Sequence, residues 1–256
     1  MDSFFVRESS DLFIPTEWTR GPWDLRAQHG GPPAALLGDA LDRDADKQVA
    51  HISFDILKPV PVAPLTLKTN VVRPGKRVEL VEAALISDGH PVMRAKAWRI
   101  RVENVDVKSN EQPNPHPRPD EGREPSAYFS GSEGNDYLHA IEWRFITNEF
   151  LQPGPSVAWL RMRIPLIGGE EPTPLARVLI AADSASGVSS ELNPTEWLFI
   201  NPDLNVALQR MPEGEWICLD ARTVVQPHGV GLARSTVYDL TGEIGGTTQS
   251  LLINER

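Results

Sequence analysis

The chain has 256 residues, 40% of them hydrophobic and 23% charged, which suits a globular protein with a buried core. Its formal net charge of −10 argues against nucleic acid as the main partner, because a phosphate backbone is bound by a basic face. The single cysteine, Cys218, excludes an intramolecular disulfide. With no signal-peptide pattern and no apolar run near the ~20 residues that span a bilayer, we expect a cytoplasmic protein without a membrane partner.

The first part of the chain, residues 1–103, predicts one helix followed by antiparallel strands. Pro32 and Pro33 suit the first turn of a helix that continues to Leu41. Strands are predicted over residues 52–57, 65–72, 78–86 and 92–102. Asp88-Gly89 between two apolar runs indicates a hairpin.

Residues 104–140 have a different composition and are interpreted as a linker. Five prolines lie here among Asn, Glu, Gly and Ser, namely Pro113, Pro115, Pro117, Pro119 and Pro125. Such a segment cannot bury enough apolar surface to fold alone. It is either laid across the surface or forms a mobile flap over a site.

The remaining part, residues 141–256, repeats the first pattern. A strand is predicted over residues 156–164, and then Thr173-Pro174 begins a helix that continues through Asp183, with Gly187 as a possible end. Further strands are predicted over residues 197–200, 204–208, 215–225, 232–238 and 247–253. Each half therefore predicts an α+β unit with its helix against one face of a sheet.

A short internal repeat supports this division. Residues 71–74 return as residues 224–227 at an offset of 153, and the same offset pairs Lys96 with Gln249. The two copies differ in chemistry, which predicts unequal halves and one active site between them.

Four segments together resemble the acyl-CoA thioesterase II-like family: residues 28–37, 203–206, 214–223 and 247–250. The resemblance implies a double hotdog, in which two tandem units each have a helix wrapped by an antiparallel sheet. It also implies acyl-CoA as the substrate, a catalytic Asp on the second helix, which is Asp183, and a Gln in the last strand, which is Gln249. The family has Thr or Ser two residues before the Asp that leads a strand; here that residue is Asn201, with Asn205 as a second choice.

The residues alone leave these roles open. Asp183 shares an apolar helix stripe with Ala176 and Leu179, so it is either functional or a helix-end Asp that faces solvent or caps the next turn. Asp39 holds a similar place in the first helix. Gln249 alternates with buried positions, so it either pairs with a backbone group or faces a site.

Two further segments are predicted to bind substrate. His29, Gly30 and Gly31 precede the first helix, whose free N–H groups favour an oxyanion, although a tight turn that needs glycine is an equal alternative. Arg73 and Lys76, in a basic turn with Arg77, are predicted to contact CoA phosphates, or else are ordinary solvated turn residues.

Together with these patterns, the resemblance implies an acyl-CoA thioesterase in which Asp183 activates a water held by Gln249 and Asn201. We expect no cofactor and no metal, no nucleic-acid partner, and a homo-oligomer in fatty acid metabolism. One alternative is a non-catalytic acyl-CoA binding or regulatory module. A hydratase of the same fold uses an Asp/His pair and is disfavoured, because no His of the second half lies near Asp183 in the sequence.

Overall fold

A computed structural model describes residues 2–129 and 134–256. The first half of the chain contains β1 (Phe5–Arg7), β2 (Leu12–Pro15), α1 (Gly31–Leu41), β3 (Lys47–Ile56), β4 (Leu65–Arg73), β5 (Val78–Ser87) and β6 (His90–Arg101). The second half contains α2 (Tyr137–Ala140), β7 (Ile141–Thr147), β8 (Ser156–Met162), α3 (Pro174–Ala182), α4 (Ala185–Val188), β9 (Trp197–Ile200), β10 (Asp203–Leu208), β11 (Ile217–Val225), β12 (Val230–Tyr238) and β13 (Glu243–Glu255). None of the described helices is both long and apolar enough to cross a membrane.

The strands form one antiparallel sheet in the order β1-β2-β4-β5-β6-β3-β10-β13-β12-β11-β8-β7, with β9 also paired to β13. Outward from the centre of the sheet, the first half has the order β3-β6-β5-β4-β2, and the second half has the equivalent order β10-β13-β12-β11-β8. The halves join where β3 pairs with β10. Helices α1 and α3 pack on each other and on one face of the sheet. This confirms the predicted α+β class.

The sequence repeat identifies the correct strands but the wrong register. An offset of 153 matches β4, β5 and β6 to β11, β12 and β13. However, Lys96 is exposed on the outer face whereas Gln249 is buried on the inner face, and buried Val81 would match exposed Arg234. Side chains alternate along a strand, so an error of one residue exchanges the two faces. The prediction that Lys96 corresponds to Gln249 is therefore wrong.

The two central helices are antiparallel and in close contact. Both begin with proline in the first turn, and almost every residue of α1 and α3 is buried, since each lies between the sheet and the other helix. A Cβ at Gly38 of α1 would approach Leu179 Cδ1 to 2.0 Å. Glycine thus allows the close helix packing that places the start of α1 beside the end of α3.

The described residues of the predicted linker, 104–129 and 134–140, lie on the second half of the sheet. Asn114 donates to the Asp239 carbonyl at 2.8 Å, and Trp159 Nε1 donates to the Pro117 carbonyl at 2.9 Å. Phe129 is buried in the core, and α2 ends the segment. Residues 130–133, which also fall in the predicted linker, lie outside the described residues.

Candidate active site

Asp183 lies at the C-terminal end of α3, in the interior of the protein. The predicted helix includes Asp183, but α3 ends at Ala182, and Asp183 caps it just before the short helix α4. Only 6% of Asp183 is exposed. A carboxylate at such a depth requires hydrogen-bond donors, and the surrounding residues provide them.

Two side-chain amides donate to the same carboxylate oxygen of Asp183. Asn201 Nδ2 lies 2.8 Å and Gln249 Nε2 lies 3.2 Å from Oδ1. Gln249 also donates to the Asp183 carbonyl at 3.2 Å and accepts the Ser186 N–H at 3.3 Å. The second amide hydrogen of Asn201 is donated to the Asp203 carbonyl at 3.1 Å. The structure thus brings together Asp183, Asn201 and Gln249, which come from three separate parts of the second half.

The other oxygen, Oδ2, faces the start of α1. His29 Nδ1 lies 3.3 Å from it. A Cβ at Gly30 would lie 2.6 Å from Oδ2, and a Cβ at Gly31 would lie 2.6 Å from the Ile180 carbonyl oxygen. Gly30 has a φ of −66°, so these glycines serve close approach between the helices and not a left-handed turn.

The hydrogen-bond partners of the His29 ring determine which of its nitrogens carries the hydrogen. The Gly31 N–H donates to Nδ1 at 3.0 Å, so a neutral ring carries its hydrogen on Nε2. Burial lowers the pKa of His29 below its ordinary value, against the opposing effects of Asp183 and Asp136. His29 is therefore neutral near pH 7, and its contact with Asp183 is an ion pair only when the ring is protonated.

The start of α1 offers fewer donors than the sequence suggested. Pro32 and Pro33 have no N–H, and the Gly31 N–H is bound to His29. Within the described ranges, the Gly30 N–H makes no hydrogen bond to protein. An oxyanion at this position would therefore meet one free backbone donor, the Gly30 N–H.

Tyr137 is a residue of this site that the sequence did not reveal. Its ring stacks on His29 with centroids 3.7 Å apart and planes 7° apart. Its hydroxyl donates to the Ile180 carbonyl at 2.6 Å and lies 2.7 Å from Ser184 Oγ. Tyr137 thus contacts both His29 and the residues around Asp183. It lies near the end of the predicted linker, and no motif distinguishes it.

The site opens into a cavity of about 550 Å³. Asp183, His29, Gly30 and Asn201 contribute to its wall, whereas Gln249 lies behind Asp183. The rest of the lining is mainly apolar and includes Trp23, Val60, Phe129, Leu138, Trp143, Phe150 and Phe199. A largely apolar cavity with a few convergent polar groups is the usual form of a small-molecule site.

The structure does not bring Arg73 and Lys76 to this cavity. Their turn joins β4 to β5 beside Arg101, which pairs with Lys47 at the start of β3. The cavity lies beside Ile56, at the other end of β3. Lys47 and Ile56 are nine residues apart, which corresponds to about 30 Å along a strand. The basic residue that does line the cavity is Lys58, just after β3.

The two remaining alternatives also lie elsewhere. Asp39 pairs with Arg43 at 3.1 Å near the opposite end of α1, and Asn205 donates to Asp203 Oδ2 at 2.9 Å. At the matching end of α1 the C-cap residue is Asp42, and Arg99 donates to the Leu41 carbonyl at 3.1 Å.

Arg99 also forms an ion pair with Glu79, which lies 3.5 Å from Lys47. Arg99, Glu79 and Lys47 thus form a charged cluster at the C-terminal end of α1. The neighbouring inward residues of β6 are Ala95 and Ala97, which have no polar side-chain group.

Comparisons with known proteins identify the family of the chain. The model of the acyl-CoA thioesterase N-terminal domain matches residues 19–100, and that of the acyl-CoA thioesterase C-terminal domain matches residues 110–253. No curated protein matches the chain by sequence.

Among solved structures, a candidate thioesterase from Novosphingobium aromaticivorans DSM 12444 has 20% identity and a TM-score of 0.77, over 99% of this chain and 100% of that one. A hot dog fold protein from Alicyclobacillus acidocaldarius has 16% identity and a TM-score of 0.72, over 98% and 95%. Acyl-CoA thioesterase II TesB2 from Mycobacterium marinum has 12% identity and a TM-score of 0.69, over 98% and 95%. These likenesses show the hotdog fold, and the domain models, one of which covers more than half of the chain, show that it belongs to the acyl-CoA thioesterase family.

Proposed function

We propose that the protein hydrolyses an acyl-CoA thioester to a free acid and CoA, with Asp183 as the general base. The observation that carries the proposal is the buried Asp183 carboxylate in the wall of an apolar cavity, whose Oδ1 is held by two amides while Oδ2 faces His29 and the start of α1. The repeated strand order also supports a double hotdog, with halves over residues 1–103 and 141–256 joined by residues 104–140.

In this mechanism Asp183 Oδ2 takes a proton from water as the water oxygen bonds to the thioester carbonyl carbon. The tetrahedral intermediate then breaks its C–S bond. The proton on Asp183 passes to the departing sulfur, which leaves as the CoA thiol. The carboxylate is thereby restored, and the acid product is released.

Asn201 and Gln249 have different roles in this scheme. Both amide hydrogens of Asn201 are used within the protein, so only its Oδ1 is available to accept a hydrogen from the water. Gln249 is fully buried and bonded to Asp183 and Ser186, so it positions Asp183 and does not touch the water. This changes the expectation that both amides hold the water.

The developing oxyanion would lie at the start of α1. Its donors would be the Gly30 N–H and the Nε2–H of neutral His29. Lys58, at the exposed edge of the cavity, is the cation best placed for a CoA phosphate. Because charged residues fill the matching place in the first half, we propose one active site per chain.

A second candidate reaction is the hydration of an enoyl-CoA. The sequence places no His of the second half near Asp183, but in the structure His29 of the first half comes within 3.3 Å of it. An Asp/His pair is therefore present. A non-catalytic acyl-CoA module is the third alternative.

Release of free thiol from acyl-CoA, followed with a thiol reagent, separates the three functions. Hydrolysis releases thiol, hydration only removes the enoyl absorbance, and a binding module does neither. Asp183→Asn should lower turnover by about 10²–10⁴-fold, the usual contribution of a general base, while the amide oxygen still accepts the bonds from Asn201 and Gln249. Asp39→Asn, the same change on the first helix, is the control. Equal turnover by both variants would contradict the role of Asp183.

A further inference from the structure

The cavity has one exposed end and one buried end. At the exposed end the lining residues reach solvent, and they are Asp24, Leu57, Lys58, Ile200, Pro202 and Leu252. At the buried end they are almost inaccessible, and they are Phe129, Leu138, Trp143 and Phe150. The cavity is therefore closed at its aromatic end.

Asp183 lies between the two ends. Its partner Asn201 is flanked in sequence by exposed Ile200 and Pro202. On the other side, Tyr137 packs edge-on against Trp143, with ring centroids 6.2 Å apart. If a thioester is cleaved at Asp183, the long, charged CoA requires the open end, which leaves the buried end for the acyl group.

The aromatic rings at the buried end pack on one another. Phe150 is in edge contact with Trp143 at 4.8 Å and lies 5.2 Å from Phe129, measured between ring centroids. Opposite Phe129 lies Gly187 of α4, where an added Cβ would be 3.9 Å from Phe129 Cε2 and Cζ. That is an ordinary contact distance, so a single methyl group would close the space between the two residues.

We propose, on the basis of the proposed function, that Phe129 and Gly187 limit the length of the acyl chain, which makes the substrates short- or medium-chain acyl-CoAs. Each added CH₂ should strengthen binding about fourfold until the chain reaches Phe129. Beyond that length the rings would have to move, and affinity should stop rising or fall. The limit on acyl-chain length is therefore set by Phe129, in the predicted linker, and by Gly187 in α4, and not by the two central helices.

Two substitutions should move this limit in opposite directions. Phe129→Ala removes the ring and should shift the optimum to longer chains. Gly187→Ala adds one methyl against Phe129 and should shift it to shorter chains; as a Gly-to-Ala change in a helix, it should not destabilise the fold. Phe13→Ala truncates a buried ring that does not line the cavity, so it controls for general destabilisation and should leave the optimum unchanged.

The measurement is the dissociation constant of S-alkyl-CoA thioethers, from ethyl to hexadecyl, determined by calorimetry for the wild type and the three variants. Thioethers cannot be hydrolysed, so binding tests the acyl site even where turnover fails. An optimum that stays in place in both Phe129→Ala and Gly187→Ala, or affinity that rises unchecked to hexadecyl, would overturn the inference. Thiol release from the matching acyl-CoAs tests the proposed reaction separately.

Discussion

Gly30 gives the sharpest test of the site, because the space for any side chain there is already occupied by Asp183. A Cβ at Gly30 would lie 2.6 Å from Oδ2 and 2.9 Å from both Cγ and Oδ1, so rotation of the carboxylate gives no relief. Ordinary contact begins at 3.4 Å, so Asp183 or the start of α1 must move by about 0.8 Å (3.4 − 2.6). A misplacement of about 1 Å at a reacting group can cost about 10²-fold in rate.

We therefore expect Gly30→Ala to lower kcat/KM for acyl-CoA by about 10²-fold, equivalent to about 2.7 kcal/mol of transition-state stabilisation. The assay is thiol release, with the melting temperature as a check on folding. Gly38→Ala is the comparison on the same helix: its Cβ would meet the Leu179 side chain and not Asp183, so it measures what a general displacement of α1 from α3 costs. A folded Gly30→Ala protein with wild-type kcat/KM would refute this description of the site.

Two further predictions follow from buried polar groups. Tyr137→Phe keeps the stacking on His29 but leaves the Ile180 carbonyl without its donor, so it should cost about 1–3 kcal/mol of stability and lower kcat more than it changes KM; a lower melting temperature with unchanged kcat would mean that Tyr137 is only structural. Burial raises the pKa of Asp42 from 3.8 to about 6, so its stabilising contribution is present below about pH 4 and is lost as pH rises through about 6. Asp42→Asn should therefore raise the melting temperature at about pH 7.5 and have little effect at about pH 3.5; an equal rise at both would exclude titration as the cause.

Local sequence patterns determined much of the fold. Proline in the first turn located both central helices, and apolar alternation with Asp-Gly and similar turns located most strands. The strands β1, β2 and β7 and the helices α2 and α4 were not predicted, whereas β9, which also has only four residues, was. Such short segments carry little periodicity, so most of them depend on tertiary pairing. The repeat identified equivalent strands. It did not show which face of the sheet each side chain occupies, because an error of one residue in the alignment exchanges the two faces.

The family resemblance identified the three residues that meet at the site, Asp183, Asn201 and Gln249, but only the tertiary structure decided what each can do. Hydrogen-bond partners distinguish Gln249, which positions Asp183, from Asn201, which keeps one acceptor for the cavity. The structure also brings His29 from the other half to within 3.3 Å of Asp183.

Local sequence determines which segments become helix or strand, because propensity and side-chain periodicity act over a few residues. Packing decides which distant groups share a buried space. Asp183 lies 154 positions after His29, and their contact exists because α1 and α3 are antiparallel and Gly30 and Gly31 let them approach. In the same way, the turn with Arg73 and Lys76 had the right charge for CoA, but strand register placed it at the far end of the sheet from the cavity.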